Sequence, residues 1–286
     1  VSRHVWRRAG RADLPELAAF LAAREEGCAG FTGRLLRDGE LQLPLTVRGG
    51  LWIAEAGGAI AGAALCHHTR LAIPLLPVDR DSDALLGALL SARMWTAASA
   101  IGAPSDLDRF EALCGLEIRF AVPYRLMRLA GAPPSATGAA APPGLEVRVA
   151  SYDDLDALFP LQTAYEYEEV LTPLHRFDAA ACRASLGRAL KEQLVFVAEE
   201  GGKIVAKAGT NARGLGCDQI GGVFTLPERR GRGIGRALVG RLTAAIAELG
   251  RKAVLFVKPD NSPALSLYRH LGFEDIGPYR ADYFDS

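Results

Sequence analysis

The sequence predicts an α/β protein built from two domains in tandem, each a mixed, mostly antiparallel twisted sheet flanked by helices. Three observations carry this. Both halves contain an apolar strand, a Gly-Gly turn and a second apolar strand, at Leu51–Glu55, Gly57-Gly58 and Ala59–Cys66, and again at Leu194–Ala198, Gly201-Gly202 and Lys203–Gly209. Strand and helix patterns alternate along the chain rather than segregating, which calls for a sheet with helices on its faces. Between the halves lies Ala130–Gly144, whose four prolines and small residues offer nothing to a core.

Composition bounds the partners. The 286 residues carry 33 basic and 33 acidic side chains, so the net charge is zero. The balance also holds within each half, with 15 basic and 14 acidic groups over residues 1–144. A polyanion needs a basic surface to displace its counterions, so no nucleic acid is expected as a partner. The five cysteines lack any C-x-x-C pair and read as reduced thiols of a cytoplasmic protein. The amino-terminal Arg3, Arg7 and Arg8 have no apolar run behind them, so no signal peptide is expected there. The most apolar long window, Ala84–Ile101, is broken by Arg93 and three hydroxyl residues. It reads as a buried helix and not a membrane span.

Taken in order, Asp13–Arg24 has helical periodicity, and the hairpin 51–66 follows. His67 and His68 are read as neighbours on its second strand, pointing to opposite faces, and no metal site is expected. Leu71–Asp79 holds two prolines and no glycine turn; helices are expected around Ser82–Ile101 and Ser105–Cys114, then the apolar stretch Ile118–Leu129. The expected boundaries are a first domain over 1–130, a linker over 131–144 and a second domain over 145–286.

The second half opens with the alternating strand Leu145–Val149. Ser151 then stands as N-cap, with Asp154 at the capping-box position, before a helix running to about Val170. A helix over Ala179–Glu192, the hairpin 194–209 and a strand over Asp218–Thr225 come next. A helix over Gly235–Gly250, a strand over Ala253–Val257, a short helix over Ser262–Leu271 and a strand-like tail complete it. The first half echoes this order in pattern but not in residues, which suggests a divergent duplication.

One stretch carries chemistry. After the strand ending at Thr225 the chain reads Leu-Pro-Glu-Arg229-Arg230-Gly231-Arg232-Gly233-Ile234-Gly235-Arg236 and enters a helix. Unpaired N–H groups at a helix start, glycines that let an anion approach, and arginines make a pyrophosphate-sized anion site. The Walker A pattern is absent, and the dinucleotide fingerprint fails because Arg236 stands where its third glycine belongs. Arg230-x-x-Gly233-x-Gly235, preceded by Val223-x-Thr225, resembles the acyl-CoA signature of the GNAT acetyltransferase superfamily, Gln/Arg-x-x-Gly-x-Gly/Ala. A second block, Asn261-x-x-Ala264-x-x-Leu267-Tyr268-x-x-x-Gly272-Phe273, is similar to the superfamily's second cofactor motif.

The resemblance covers residues 145–286 and implies two GNAT-like domains, the first degenerate and without cofactor, serving to cover the acceptor groove or to stabilise the second. It implies that acetyl-CoA is the acyl donor and that its arm lies between two splayed strands. Val223, Phe224 and Thr225 would line that arm. The backbone from Arg230 through Gly231, Arg232, Gly233, Ile234 and Gly235 to Arg236 would hold the pyrophosphate. Asn261 would contact the arm, and Tyr268 would protonate the leaving thiolate. The implied reaction is direct attack by a primary amine, of a small molecule or a peptide, in a ternary complex; a monomer or homodimer is expected, with no membrane. The superfamily often places a carboxylate on the strand before the cofactor loop, but here that strand reads Ile220-Gly221-Gly222-Val223. The base is therefore sought in Glu166–Glu169, with Glu169 one helical turn from Tyr165 and facing the same groove; the same residues also read as a solvated helix face. His175 is a further candidate base. Two other functions stay open: an acetyl-CoA sensor without turnover, and a GNAT-type synthase forming an amide on a thiol metabolite or peptide.

Overall fold

The computed structural model describes residues 4–44, 49–79, 83–131 and 141–284. The expected linker 131–144 lies largely outside the described residues. The chain forms two compact units, one of Val1–Arg125 with Gly277–Ser286, the other of Leu126–Ile276. Two segments are thus allotted differently from the expected boundaries: Leu126–Ala130 cluster with the second unit and Gly277–Ser286 with the first. Strand pairing is the reason. Arg280–Tyr283 form an antiparallel ladder with Ser99–Gly102, and the Ala130 N–H donates to the Gly272 carbonyl.

In the first unit the elements are β1 (Val5–Arg8), α1 (Leu14–Ala22), α2 (Glu25–Leu35), β2 (Leu36–Arg37), β3 (Glu40–Leu41), β4 (Gly50–Ala56), β5 (Ala59–Cys66), β6 (Leu71–Leu75), α3 (Asp83–Ala92), β7 (Ser99–Gly102), α4 (Pro104–Cys114) and β8 (Ile118–Leu129), whose last four residues belong to the second unit. Its sheet runs β1-β4-β5-β6-β7, antiparallel at each step except the parallel β6–β7 pair. Leu86 and Leu90 of α3 and Leu107 and Phe110 of α4 pack on Trp52, Ala64, Ala72 and Ala100 of the sheet.

Two expectations fail here, and one helix was not foreseen. The helix expected over 82–101 stops at Ala92, because Met94 takes a left-handed φ of 49° and the chain turns into β7. Apolar residues continue through the turn, so periodicity alone carried the helix too far, whereas the small, fully buried Ala100 lies on β7, between β6 and the Arg280–Tyr283 ladder. The glycine-rich helix α2 was not expected at all; Phe31 and Leu35 are buried on it. His67 and His68 lie beyond the end of β5 in a turn, with ring centroids 4.0 Å apart, and so do not point to opposite faces.

The second unit contains β9 (Leu145–Val149), α5 (Leu155–Tyr165), α6 (Ala179–Glu192), β10 (Val195–Glu200), β11 (Lys203–Arg213), β12 (Cys217–Thr225), α7 (Ile234–Glu248), β13 (Lys252–Val257), α8 (Ser262–His270) and β14 (Phe273–Phe284), whose residues from Gly277 onward belong to the first unit. Strand order β9-β10-β11-β12-β13 again has three antiparallel steps and one parallel. Leu238, Val239, Leu242 and Ile246 of α7 cover one face of the sheet, meeting Phe196, Ala198, Ala206 and Ile220. Leu158, Leu161 and Leu186 from α5 and α6 cover the other, meeting Val197 and Phe224. The period-two alternation Phe196–Val197–Ala198 feeds both cores.

The likeness of the two units extends to one residue cluster. Arg7 donates to Asp13 (2.6 Å) and Glu55 (2.6 Å); Arg148 donates to Asp154 (2.7 Å) and Glu199 (2.5 Å). Each aspartate also accepts, at 2.7 Å, from the backbone N–H three residues before it, at Gly10 and at Ser151. Each glutamate sits at a register shift in its hairpin, two residues before the Gly-Gly turn. The arginine hydrogen bond holds Asp13 down to about 2 and Asp154 below its ordinary value. Among the described residues no helix is long and apolar enough to cross a membrane.

Candidate active site

The site begins where β12 and β13 part. Their parallel ladder runs from Cys217 opposite Lys252 to Ile220 opposite Leu255 and stops. β12 nevertheless continues to Thr225, held on its other side by β11 through Lys207 opposite Phe224 and Ala206 opposite Thr225. Gly222, at φ 60°, makes the irregularity, and the β11–β12 register shifts beside it. Between Gly221 and Thr225 the β13-facing edge therefore lies outside the β12–β13 ladder, as the arm of a strand-like ligand requires.

Beyond Thr225 a short 3-10 turn, Pro227–Arg229, leads into the glycine loop. Gly231 (φ 75°) and Gly233 (φ 79°) are left-handed, a conformation costly for other residues. Gly233 is the N-cap of α7 and has no side chain to accept from the first-turn N–H groups. Those groups border a cleft of about 570 Å³ lined by Gly231, Arg232, Gly233 and Arg236 on one side and Pro263, Ser266, Leu267 and His270 of α8 on the other. A Cβ at Gly235 would lie 3.4 Å from Leu267, so its absence lets α7 and α8 approach. Glycine cradle, uncapped helix end and cationic rim together suit a pyrophosphate.

The four arginines divide. Arg232 and Arg236 line the cleft. Arg229 pairs with Glu200 at 2.7 Å, and Arg230 with Glu168 at 2.8 Å while its Nε donates to the Thr225 carbonyl at 3.0 Å. Arg230 thus braces the end of β12. The side chains of Ile234 and Phe224 are buried in the two cores, leaving only their backbone for a ligand.

On the far side of the wedge the second motif assembles around Glu169. Asn261 accepts from the Ala264 N–H as the N-cap of α8 (3.1 Å) and donates to Glu169 Oε1 (3.3 Å). Lys258 Nζ donates to Glu169 Oε2 (3.1 Å) and to the Glu169 carbonyl (2.9 Å). Tyr268 is buried, edge-on to Phe273; burial and, next, the Glu169 charge push its phenol well above the ordinary tyrosine range, so it keeps its proton.

The expected sharing of one groove by Tyr165 and Glu169 does not hold. Residues 166–170 form a single π-helical turn, closed by the Leu171 N–H on the Glu166 carbonyl at 2.9 Å. Tyr165 faces Phe224 and Lys207, whereas Glu169 faces Lys258 and Asn261. His175 is held locally by Thr172 Oγ1 at 2.7 Å.

Two lysines were missed by sequence reasoning. Lys258 anchors Glu169. Lys207 is almost fully buried, donates to the Gly222 carbonyl at 2.8 Å and sits 4.4 Å from the Tyr165 ring centroid. Burial pushes its ammonium down to about 8 against the opposing pull of Glu166 and Cys182. The available signal was a lone charge inside the apolar run Ile204–Ala208.

Residues 155–273 match the model of the Acetyltransferase (GNAT) family. Residues 155–273 are a GNAT domain. Solved structures extend the likeness to nearly the whole chain. A GCN5-related N-acetyltransferase from Sphaerobacter thermophilus is 20% identical with a TM-score of 0.60, covering 98% of this chain and 94% of that one. One from Kribbella flavida is 18% identical with a TM-score of 0.57, covering 94% and 95%. A tandem GNAT protein from the clavulanic acid biosynthesis pathway, solved without AcCoA, is 17% identical with a TM-score of 0.57, covering both chains completely. At these identities the likeness is one of fold, and it makes both units GNAT-like. No curated protein sequence matches the chain.

Proposed function

We propose that this chain is an acyltransferase that takes an acetyl group from acetyl-CoA and delivers it to a primary amine in a ternary complex. The carrying observation is the conjunction of the β12–β13 wedge with the uncapped, glycine-cradled start of α7, both within the GNAT domain. The donor supplies a thioester. The backbone of Val223 and Thr225 would hold the arm, the first turn of α7 with Arg232 and Arg236 the pyrophosphate, and Asn261 the arm's far side. Tyr268 keeps the proton that a departing thiolate needs. Glu169, with both carboxylate oxygens engaged, would fix the π-turn against the α8 cap and present a negative field to an ammonium acceptor.

The first unit is proposed to work without a donor. Its β6–β7 ladder also ends early, at Ala72 opposite Ala100, but Pro74 follows on β6 and offers no N–H. Arg109 donates to the Pro77 carbonyl (2.6 Å), the Asp79 carbonyl (3.3 Å) and the Asp83 carboxylate (2.6 Å). Carbonyls gathered around a cation are the reverse of what a phosphate requires.

Calorimetry with acetyl-CoA, joined to thiol release across an amine panel, tests the reading. Saturable binding with amine-dependent thiol release is expected. Binding without release on any amine would support a sensor instead, and no binding would overturn the assignment. Arg232→Glu combined with Gly233→Asp should abolish binding while circular dichroism stays unchanged.

A further inference from the structure

The pair Gly221-Gly222, on the strand where the superfamily often carries a carboxylate, is approached from the side by β11. A Cβ at Gly221 would lie 1.9 Å from the Asn211 amide nitrogen, and one at Gly222 would lie 2.9 Å from Lys207 Nζ. The two glycines make room for side chains of the neighbouring strand, and Lys207 uses that room to grip the Gly222 carbonyl.

A peptide unit is planar and trans, so its C=O and the following N–H point in opposite directions. Fixing the Gly222 carbonyl on Lys207 turns the Val223 N–H away from Lys207, beyond the point where the β12–β13 ladder ends. We infer that Lys207 is a positioning residue of the acyl-transfer site, aiming the Val223 N–H at the thioester carbonyl through its hold on Gly222. The inference rests on the acyl-CoA reading above.

A cationic donor on the carbonyl strengthens this aim, because charge-assisted hydrogen bonds are about twice as strong as neutral ones and polarise the amide they bind. The groups facing the ammonium are the Tyr165 ring from α5, Glu166 from the π-turn, Cys182 from α6 and the Gly222 carbonyl from β12; Val197, its partner on β10, is apolar. Desolvation outweighs the two acidic neighbours and brings the titration to about 8. As pH rises through that value Lys207 loses its charge and the grip weakens.

Acetyl-CoA and S-ethyl-CoA, the thioether that lacks the carbonyl, test this without knowledge of the acceptor. In the wild-type chain acetyl-CoA should bind on the order of fivefold more tightly below about pH 8, as one hydrogen bond allows, and the preference should shrink above it. Lys207→Met should bind S-ethyl-CoA as the wild type does and show no preference at any pH. Lys207→Arg, whose guanidinium stays charged, should keep the preference on the alkaline side. A preference that is independent of pH in the wild type, or retained in Lys207→Met, overturns the inference. If Lys207→Met does not fold, the wild-type pH dependence decides alone. Failure of both ligands to bind the wild type would overturn the acyl-CoA reading itself, and this inference with it.

Discussion

At the scale of single residues, burial decides what each ionisable group can do. Tyr268 is buried with its phenol held protonated, which suits a proton donor and not a base. Tyr268→Phe should lower turnover by about 100-fold or more with acetyl-CoA affinity unchanged, read as a fall in kcat at constant Kd. In the first unit the fully buried Asp282 lies beside Glu111, and Arg280 reaches both, at 2.6 Å and 3.3 Å. Burial, then the Asp282 carboxylate, raises Glu111 well above the ordinary carboxyl range, so the fold binds a proton that the unfolded chain releases. Stability from this group is complete below the unfolded carboxyl value of 4.5 and is lost as pH climbs towards the raised value. Thermal unfolding across that window should show a decline with rising pH that Glu111→Gln removes; an unchanged slope in the variant would refute the shared proton.

The elements show what local pattern conveys. The capping box at Ser151 and Asp154, the helix 179–192 and the strand 145–149 are all present where the sequence placed them, since each depends on contacts within a few residues. The glycine loop and the start of α7 were equally legible, because a left-handed turn demands glycine whatever surrounds it. The overrun of α3 and the absence of α2 from the reading have one cause: apolar spacing describes a buried face but not the turn that redirects it. The Arg148, Asp154 and Glu199 cluster joins β9, the capping turn and β10, so its loss should loosen all three. Arg148→Met should destabilise the second unit by about 1–2 kcal/mol, measured by denaturant titration. The matching Arg7→Met should act on the first unit in the same way. The recurrence of this triad was in principle readable, as arginine and aspartate six apart with Glu-x-Gly-Gly downstream, but only its assembly gives so sparse a pattern meaning.

For the whole molecule, the chain crosses between units twice, inside β8 and inside β14. Met127, fully buried, belongs to the core of the second unit, while Phe284 belongs to the core of the first. A fragment cut at the sequence boundary, 145–286, therefore lacks Leu126–Ala130 and carries Arg280–Tyr283 without the partner strand Ser99–Gly102. It should melt lower and bind more hydrophobic dye than a fragment spanning 126–276; equal stability of the two would contradict the division.

The sequence by itself determined the α/β class, the tandem repeat of a hairpin-bearing unit, the glycine- and arginine-rich loop at 230–236 and the second motif from Asn261 to Phe273. These are written in local spacing, glycine placement and capping, which act over a turn or two of chain. Only the tertiary structure decided that Arg230 braces β12 while Arg232 and Arg236 line the cleft, that Glu169 is tied to Lys258 and Asn261 and not to Tyr165's groove, and that Lys207 lies buried against Gly222. Each of these depends on which side chains meet across strands and helices far apart in sequence, where burial and charge pairing set both position and protonation.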